Sequence, residues 1–164
     1  MVLDEHLTIA MRLALSVLVG GLVGLNRDLR HKPAGVRTHA LVSLGTALMV
    51  IAIVPPGSDA AQRIDALSRV IQGVLTGIGF LGAGVILRDP GTRHVSGLTT
   101  AATIWLTALL GVACGAGLYA AVLIAIVLGG LVVGFGGRIE RAFRRRFSAD
   151  ADAGDDAPDG EAKP

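Results

Sequence analysis

Aromatic residues make up only 4% of this 164-residue chain, and Cys114 is its one cysteine. A lone cysteine excludes an intramolecular disulfide and a cysteine-built metal cage. Charged residues reach 17%, against about 25% in an average soluble domain. They fall in clusters, and no Asp or Glu lies inside any long apolar run. The chain has no nucleophile elbow, no phosphate-binding loop and no metal-ligand spacing. Enzyme chemistry, a bound metal and a cofactor are therefore not expected. The net charge of +2 conceals a basic set near the apolar runs and an acidic tail. That basic set reads as membrane orientation, not as nucleic-acid binding.

What is abundant is apolar. Hydrophobic residues reach 52%, there are 23 glycines, and mean hydropathy is +0.63. High hydropathy with many glycines is the composition of packed transmembrane helices. Five apolar segments are visible, at 7–25, 38–54, 70–87, 98–113 and 118–136. At 1.5 Å per residue they span roughly 24–29 Å, close to a bilayer core of about 30 Å. The expected fold is an all-α integral membrane protein, a bundle of five transmembrane helices in a lipid bilayer. The opening MVLDEH is acidic and lacks a positive n-region, so the first segment reads as a retained span and not a signal peptide.

Lysine and arginine positions set the expected orientation. Arg27, Arg30, Lys32, Arg37, Arg88, Arg93, Arg138, Arg141, Arg144, Arg145 and Arg146 fall on one side, and Arg12, Arg63 and Arg69 on the other. Basic loops stay cytoplasmic, which puts the N-terminus outside and the C-terminus inside. Arg12 lies inside the first segment, close enough to its outer end to snorkel. After Pro55-Pro56-Gly57, Ser58 is placed to cap a short amphipathic outer helix that runs into the third span, with Asp65 and Arg69 as i,i+4 neighbours. Residues 137–147 form a basic juxtamembrane segment. Residues 148–164, with six acids and two prolines, are expected to be a disordered tail.

Small-xxx-small pairs recur at Gly20/Gly24, Gly73/Gly77, Gly111/Gly115 and Gly130/Gly134. Such pairs let helix backbones approach closely, within the chain or against another copy or partner. Gly73, Gly77 and Gly84 form one stripe of the third span, and Gly79 and Ala83 lie on another face. Two small faces predict that this helix is central. Gly82 completes a G-x-G-x-x-G with Gly77 and Gly79, but no βαβ unit surrounds it, so it is not a dinucleotide site.

Thr99, Thr103 and Thr107 are read as one face of the fourth span, with Thr100 beside them and Thr76 as a further member of a polar seam. Hydroxyls in lipid bond back to their own helix; the competing reading is a path for ions. Trp105 falls mid-helix and reads as packing. Arg37, Thr38 and His39 enter the second span, with Thr38 read as a helix cap. A histidine there either titrates near neutral pH or is a satisfied interfacial residue.

The order of segments carries more. KPAGVRTHALVSLG (32–45), GIGFLGAGVIL (77–87), GLTTAATIW (97–105) and GVACGAGLY (111–119) resemble the MgtC/SapB family of bacterial inner-membrane proteins. The resemblance covers about residues 7–136. It implies a five-span inner-membrane protein linked to growth in low Mg²⁺ and survival inside macrophages, and proposed to restrain the ATP synthase. A Mg²⁺ transport role has also been proposed for such proteins. It implies counterparts for Arg69 and Cys114. Two positions depart from the family pattern. Asn26 stands where a Glu is common, and Ser96 where an Arg is usual. A C-terminal regulatory domain present in some members is not expected here. The first expected function is thus a membrane regulator that touches another complex, with a homo-oligomer as a further association; the second is a cation transporter.

Overall fold

A computed structural model of the chain describes residues 2–53, 59–88 and 95–152. It contains α1 (Val2–Asp28), α2 (Val36–Ile53), α3 (Ala60–Val85), α4 (Leu98–Ala116) and α5 (Tyr119–Asp152). A two-residue antiparallel ladder, β1 (Leu87–Arg88) with β2 (Val95–Ser96), joins α3 to α4. All five helices contain stretches long and apolar enough to cross a membrane. The chain divides into two compact units, Met1–Ile126 and Val127–Pro164.

Within the first unit α4 is the hub. It packs against α1, α2 and α3, and α1 packs along α2. Of α4's membrane-length window 56% is buried, against 22–28% for α1, α2 and α3. This corrects the expectation that the third helix is central. The buried line of α3 is a single stripe, Val70, Val74, Ile78 and Gly82. That stripe joins Val50, Ile104, Ala108 and Val112 in one core cluster. A second cluster sets Val19 of α1 against Leu110 and Cys114 of α4 and Val122.

Local chemistry explains the helix ends. The Asp59 carboxylate accepts from the Gln62 N–H at 2.8 Å, capping α3. From there α3 runs unbroken to Val85, so no separate surface helix precedes the span; Ser58 lies outside the described residues. Asp65 and Arg69 pair on its exposed first turns at 3.1 Å. Gly97 holds φ +90 at the start of α4, where a Cβ would collide with the Val85 carbonyl. At the other end Gly117 is left-handed (φ +78). Gly117 N–H bonds Cys114 O at 3.1 Å and Leu118 N–H bonds Ala113 O at 2.9 Å. This pair of bonds is a Schellman ending.

Arg12, placed inside the first segment, donates Nη1–H to Gly115 O at 2.8 Å and satisfies a terminal carbonyl of α4. In the second unit α5 continues as helix through Asp152, past the expected onset of disorder at 148. Alanines, arginines and Glu140 are good helix formers and carry it on. Residues 153–164 of the expected acidic tail lie outside the described residues.

Candidate functional site

The polar groups of the first unit converge where α1, α2 and α4 meet. On α1, Ser16, Gly20, Gly24 and Arg27 recur at four, four and three residues, which is one helical stripe. The glycines let α2 come against this stripe. A Cβ at Gly20 would lie 2.9 Å from Ala40 Cα, and one at Gly24 would lie 2.6 Å from Val36 Cα. On α4, Gly111 meets Thr46 and Ser43 of α2 in the same way, and a Cβ at Gly115 would be 2.6 Å from Ala47 O. Four of the glycines singled out by sequence thus close the helix triad.

Gly82 makes only ordinary contact, 3.6 Å from the Ala101 side chain. A Cβ on Gly73, Gly77, Gly79 or Gly84 would meet nothing within 4 Å, so these four are not packing positions inside the unit. Seven residues make nearly two turns, so stripes repeat at three and four, and only the stripe through Gly82 points at α4. Gly130 and Gly134 belong to the second unit.

The closed triad buries a chain of polar groups. Arg27 is only 3% exposed. Its Nη2–H donates to Thr100 Oγ1 at 2.6 Å. Thr103 Oγ1–H donates to Thr100 O at 2.9 Å, and Thr107 Oγ1–H donates to Thr103 O at 2.8 Å. His39 is fully buried. Its Nδ1 lies 3.0 Å from Gly35 O, which can only accept, so Nδ1 carries a proton. Its Nε2 lies 3.4 Å from Thr103 Oγ1. With neutral His39, the single Thr103 hydroxyl proton is shared between Thr100 O and Nε2. Thr46 Oγ1–H bonds back to Val42 O at 3.0 Å. Among the described residues four buried side-chain atoms have no hydrogen-bond partner: Arg27 Nε, Ser43 Oγ, Asn26 Oδ1 and Arg12 Nε.

The threonine stripe is therefore Thr100, Thr103 and Thr107, with Thr99 exposed, a correction of one residue. Steps of three and four follow the 3.6-residue period; repeated steps of four drift off it. Thr76 is exposed, bonded to Gln72 O at 2.9 Å, and does not join the seam. Arg37 and Thr38 are exposed on the first turn of α2. Thr38 is not the cap: the Asp28 carboxylate reaches across and accepts from Val36 N–H at 2.9 Å. His39 is buried and joins the seam through Thr103. Cys114 is free and buried, and Trp105 is 46% exposed and so is not a core residue. Asp65 and Arg69 stand on α3, away from the seam residues in sequence and joined to none of them by a hydrogen bond. Among the described residues no group of three or more His, Cys, Asp or Glu could hold a metal ion.

Sequence reasoning missed Arg27 and Arg12 as buried or capping groups. A signal existed for Arg27, which falls on the stripe of Gly20 and Gly24. Ending the first span at residue 25 left it in a loop.

Residues 13–142 match the MgtC family, a stretch that includes every residue of the seam. The chain belongs to the MgtC family. It is 51% identical to Protein SrpB of Synechococcus elongatus over 122 residues, 70% of this chain and 67% of that protein. Against Protein MgtC of Brucella abortus it is 43% identical over 115 residues, 70% of this chain and 45% of that protein. Against Protein MgtC of Salmonella typhimurium it is 40% identical over 118 residues, 72% of this chain and 48% of that protein. The chain thus spans about half the length of these MgtC relatives. No solved structure matches it. Family membership and five membrane-length helices together make this a multi-pass membrane protein of MgtC type.

Proposed function

We propose that this chain is a regulator in the bacterial inner membrane that supports adaptation to low Mg²⁺ by helix contact with another membrane complex, the ATP synthase being the first candidate. The N-terminus is outside and the C-terminus cytoplasmic, following the basic residues. One observation carries the reading. The face of α3 bearing Gly73, Gly77 and Gly84 meets nothing within the first unit. Gln72 and Thr76, both exposed, stand beside it. Lipid offers no hydrogen bond to the Gln72 amide, whereas a partner helix does, and glycines let that helix approach. The seam favours this over the transporter reading. Its threonines bond back to their own helix, glycine contacts close it, and the nearest acid, Asp28, is taken up in capping α2, so it offers no free carboxylate of the kind that usually holds Mg²⁺.

The test places a photo-crosslinking residue at Phe80, an exposed and already bulky position on the same face, of the full chain in Mg²⁺-starved cells. The expected result is a crosslink to an ATP synthase subunit, with ATP level rising when the chain is deleted. A crosslink to lipid alone, with ATP level and membrane potential unchanged on deletion, defeats the proposal. Cation flux into liposomes holding only the purified chain would favour the transporter instead.

A further inference from the structure

A cleft of about 600 Å³ opens where the N-terminal end of α1 meets the last turns of α2 and α4 and the first turns of α3. It lies at the opposite end of α1 from Arg27, and the family reading gives it no role. Its size falls in the range of small-ligand sites. Its polar wall is ordered. Asp4 and Glu5 stand on the first turn of α1, and Arg12 stands about two turns further along the same face. Arg63 faces them from α3, with Leu67 one turn deeper. The remaining wall is mostly apolar, with Ile9, Val50 and Ile51 among its residues, and its Thr8 hydroxyl is bonded to Asp4 O.

The carboxylates thus stand outermost on α1, Arg12 stands about two turns further in, and apolar side chains lie between and beside the charged ones. An aminophospholipid carries matching groups: an ammonium outermost, a phosphate next to it, and acyl chains to cover the apolar wall. We propose that this cleft binds the headgroup of a zwitterionic aminophospholipid, with the ammonium on Glu5 and the phosphate between Arg63 and Arg12. Glu5 and Arg63 have no side-chain ion pair among the described residues. Arg12 spends one nitrogen on Gly115 O. Its buried Nε–H has no acceptor among the described residues, a donor that a phosphate oxygen satisfies. A purely anionic lipid would bring its headgroup against Glu5 with no cation to offer it. A water-soluble zwitterion would leave the apolar wall uncovered.

The full-length protein in detergent is mixed with equal amounts of phosphatidylethanolamine, phosphatidylglycerol and phosphatidylcholine, and bound lipids are counted by native mass spectrometry. Phosphatidylethanolamine is expected to be retained in preference to the other two, since of the three only it brings a positively charged hydrogen-bond donor to Glu5. Glu5→Gln should erase the preference over phosphatidylglycerol, a loss of roughly threefold to fivefold for a partly exposed charge pair. Arg63→Gln should weaken retention of phosphatidylethanolamine by a similar factor. Both residues are exposed, and neither caps a helix through its side chain. Equal retention of the three lipids overturns the proposal, as does a preference that survives both substitutions. Displacement by chain-free glycerophosphoethanolamine at the same concentration also overturns it.

Discussion

Arg27 on α1 and Thr100 on α4, 73 residues apart in sequence, are joined by a 2.6 Å hydrogen bond that is buried from end to end. This contact ties the first and fourth helices at the point where the glycine stripes bring them together around α2. A guanidinium that is 3% exposed and rests on a neutral hydroxyl, with its Nε unpaired, is an unusual charge to keep inside a membrane protein.

That arrangement predicts an asymmetry. Thr100→Val removes the acceptor and leaves the charge buried, and should cost about 1.5–3 kcal/mol, the worth of a hydrogen bond to a charged group. Arg27→Met removes charge and orphaned donor together and should cost less. Reversible unfolding in mixed micelles measures both. A greater loss for Arg27→Met would mean that the guanidinium has a stronger partner than Thr100.

The glycines should separate into two classes. Gly24→Ala and Gly111→Ala put a methyl into the α2 backbone and should destabilise by about 1–3 kcal/mol or more. Gly77→Ala and Gly84→Ala meet no atoms and should leave the isolated chain as stable or up to about 1 kcal/mol more stable, through helix propensity. With the probe at Phe80, the same two changes should reduce crosslinking to a partner if α3 is the docking face. Melting temperatures of the four variants decide the first point.

Arg12 satisfies a terminal carbonyl of α4 across 103 residues of sequence. Arg12→Met keeps the apolar stem and drops the donor, so the loss should be about 1–2 kcal/mol and local to the end of α4. Amide hydrogen exchange at residues 113–118 should speed up while residues 100–107 stay protected.

Asp28 caps α2 from the preceding turn. Asp28→Ala should cost about 0.5–2 kcal/mol and Asp28→Asn very little, because both Asp and Asn offer the oxygen that Val36 N–H needs. Thr38→Ala, at the exposed position sequence reading made the cap, should be nearly neutral in the same unfolding assay.

Much of the seam was visible in outline before the fold was known. Thr103, Thr107, His39 and the Gly20/Gly24 and Gly111/Gly115 pairs stand out as small or polar residues in apolar surroundings. Their partners do not. Thr99 and Thr100 are adjacent threonines, and only the register of α4 against α1 and α2 buries one and exposes the other. Gly73/Gly77 has the same spacing as Gly20/Gly24, and only the neighbours separate a packed pair from an open one.

The sequence alone determined that there are five helices of membrane length, because an apolar run without charges in lipid must satisfy its backbone internally. It also determined the family, through four segments in order. Which helix lies at the centre, which glycines are filled and where Arg27 ends were decided by tertiary structure alone. The reason is physical: lipid is as apolar as a leucine side chain, so hydropathy marks what enters the membrane and does not distinguish a helix face that meets lipid from one that meets protein.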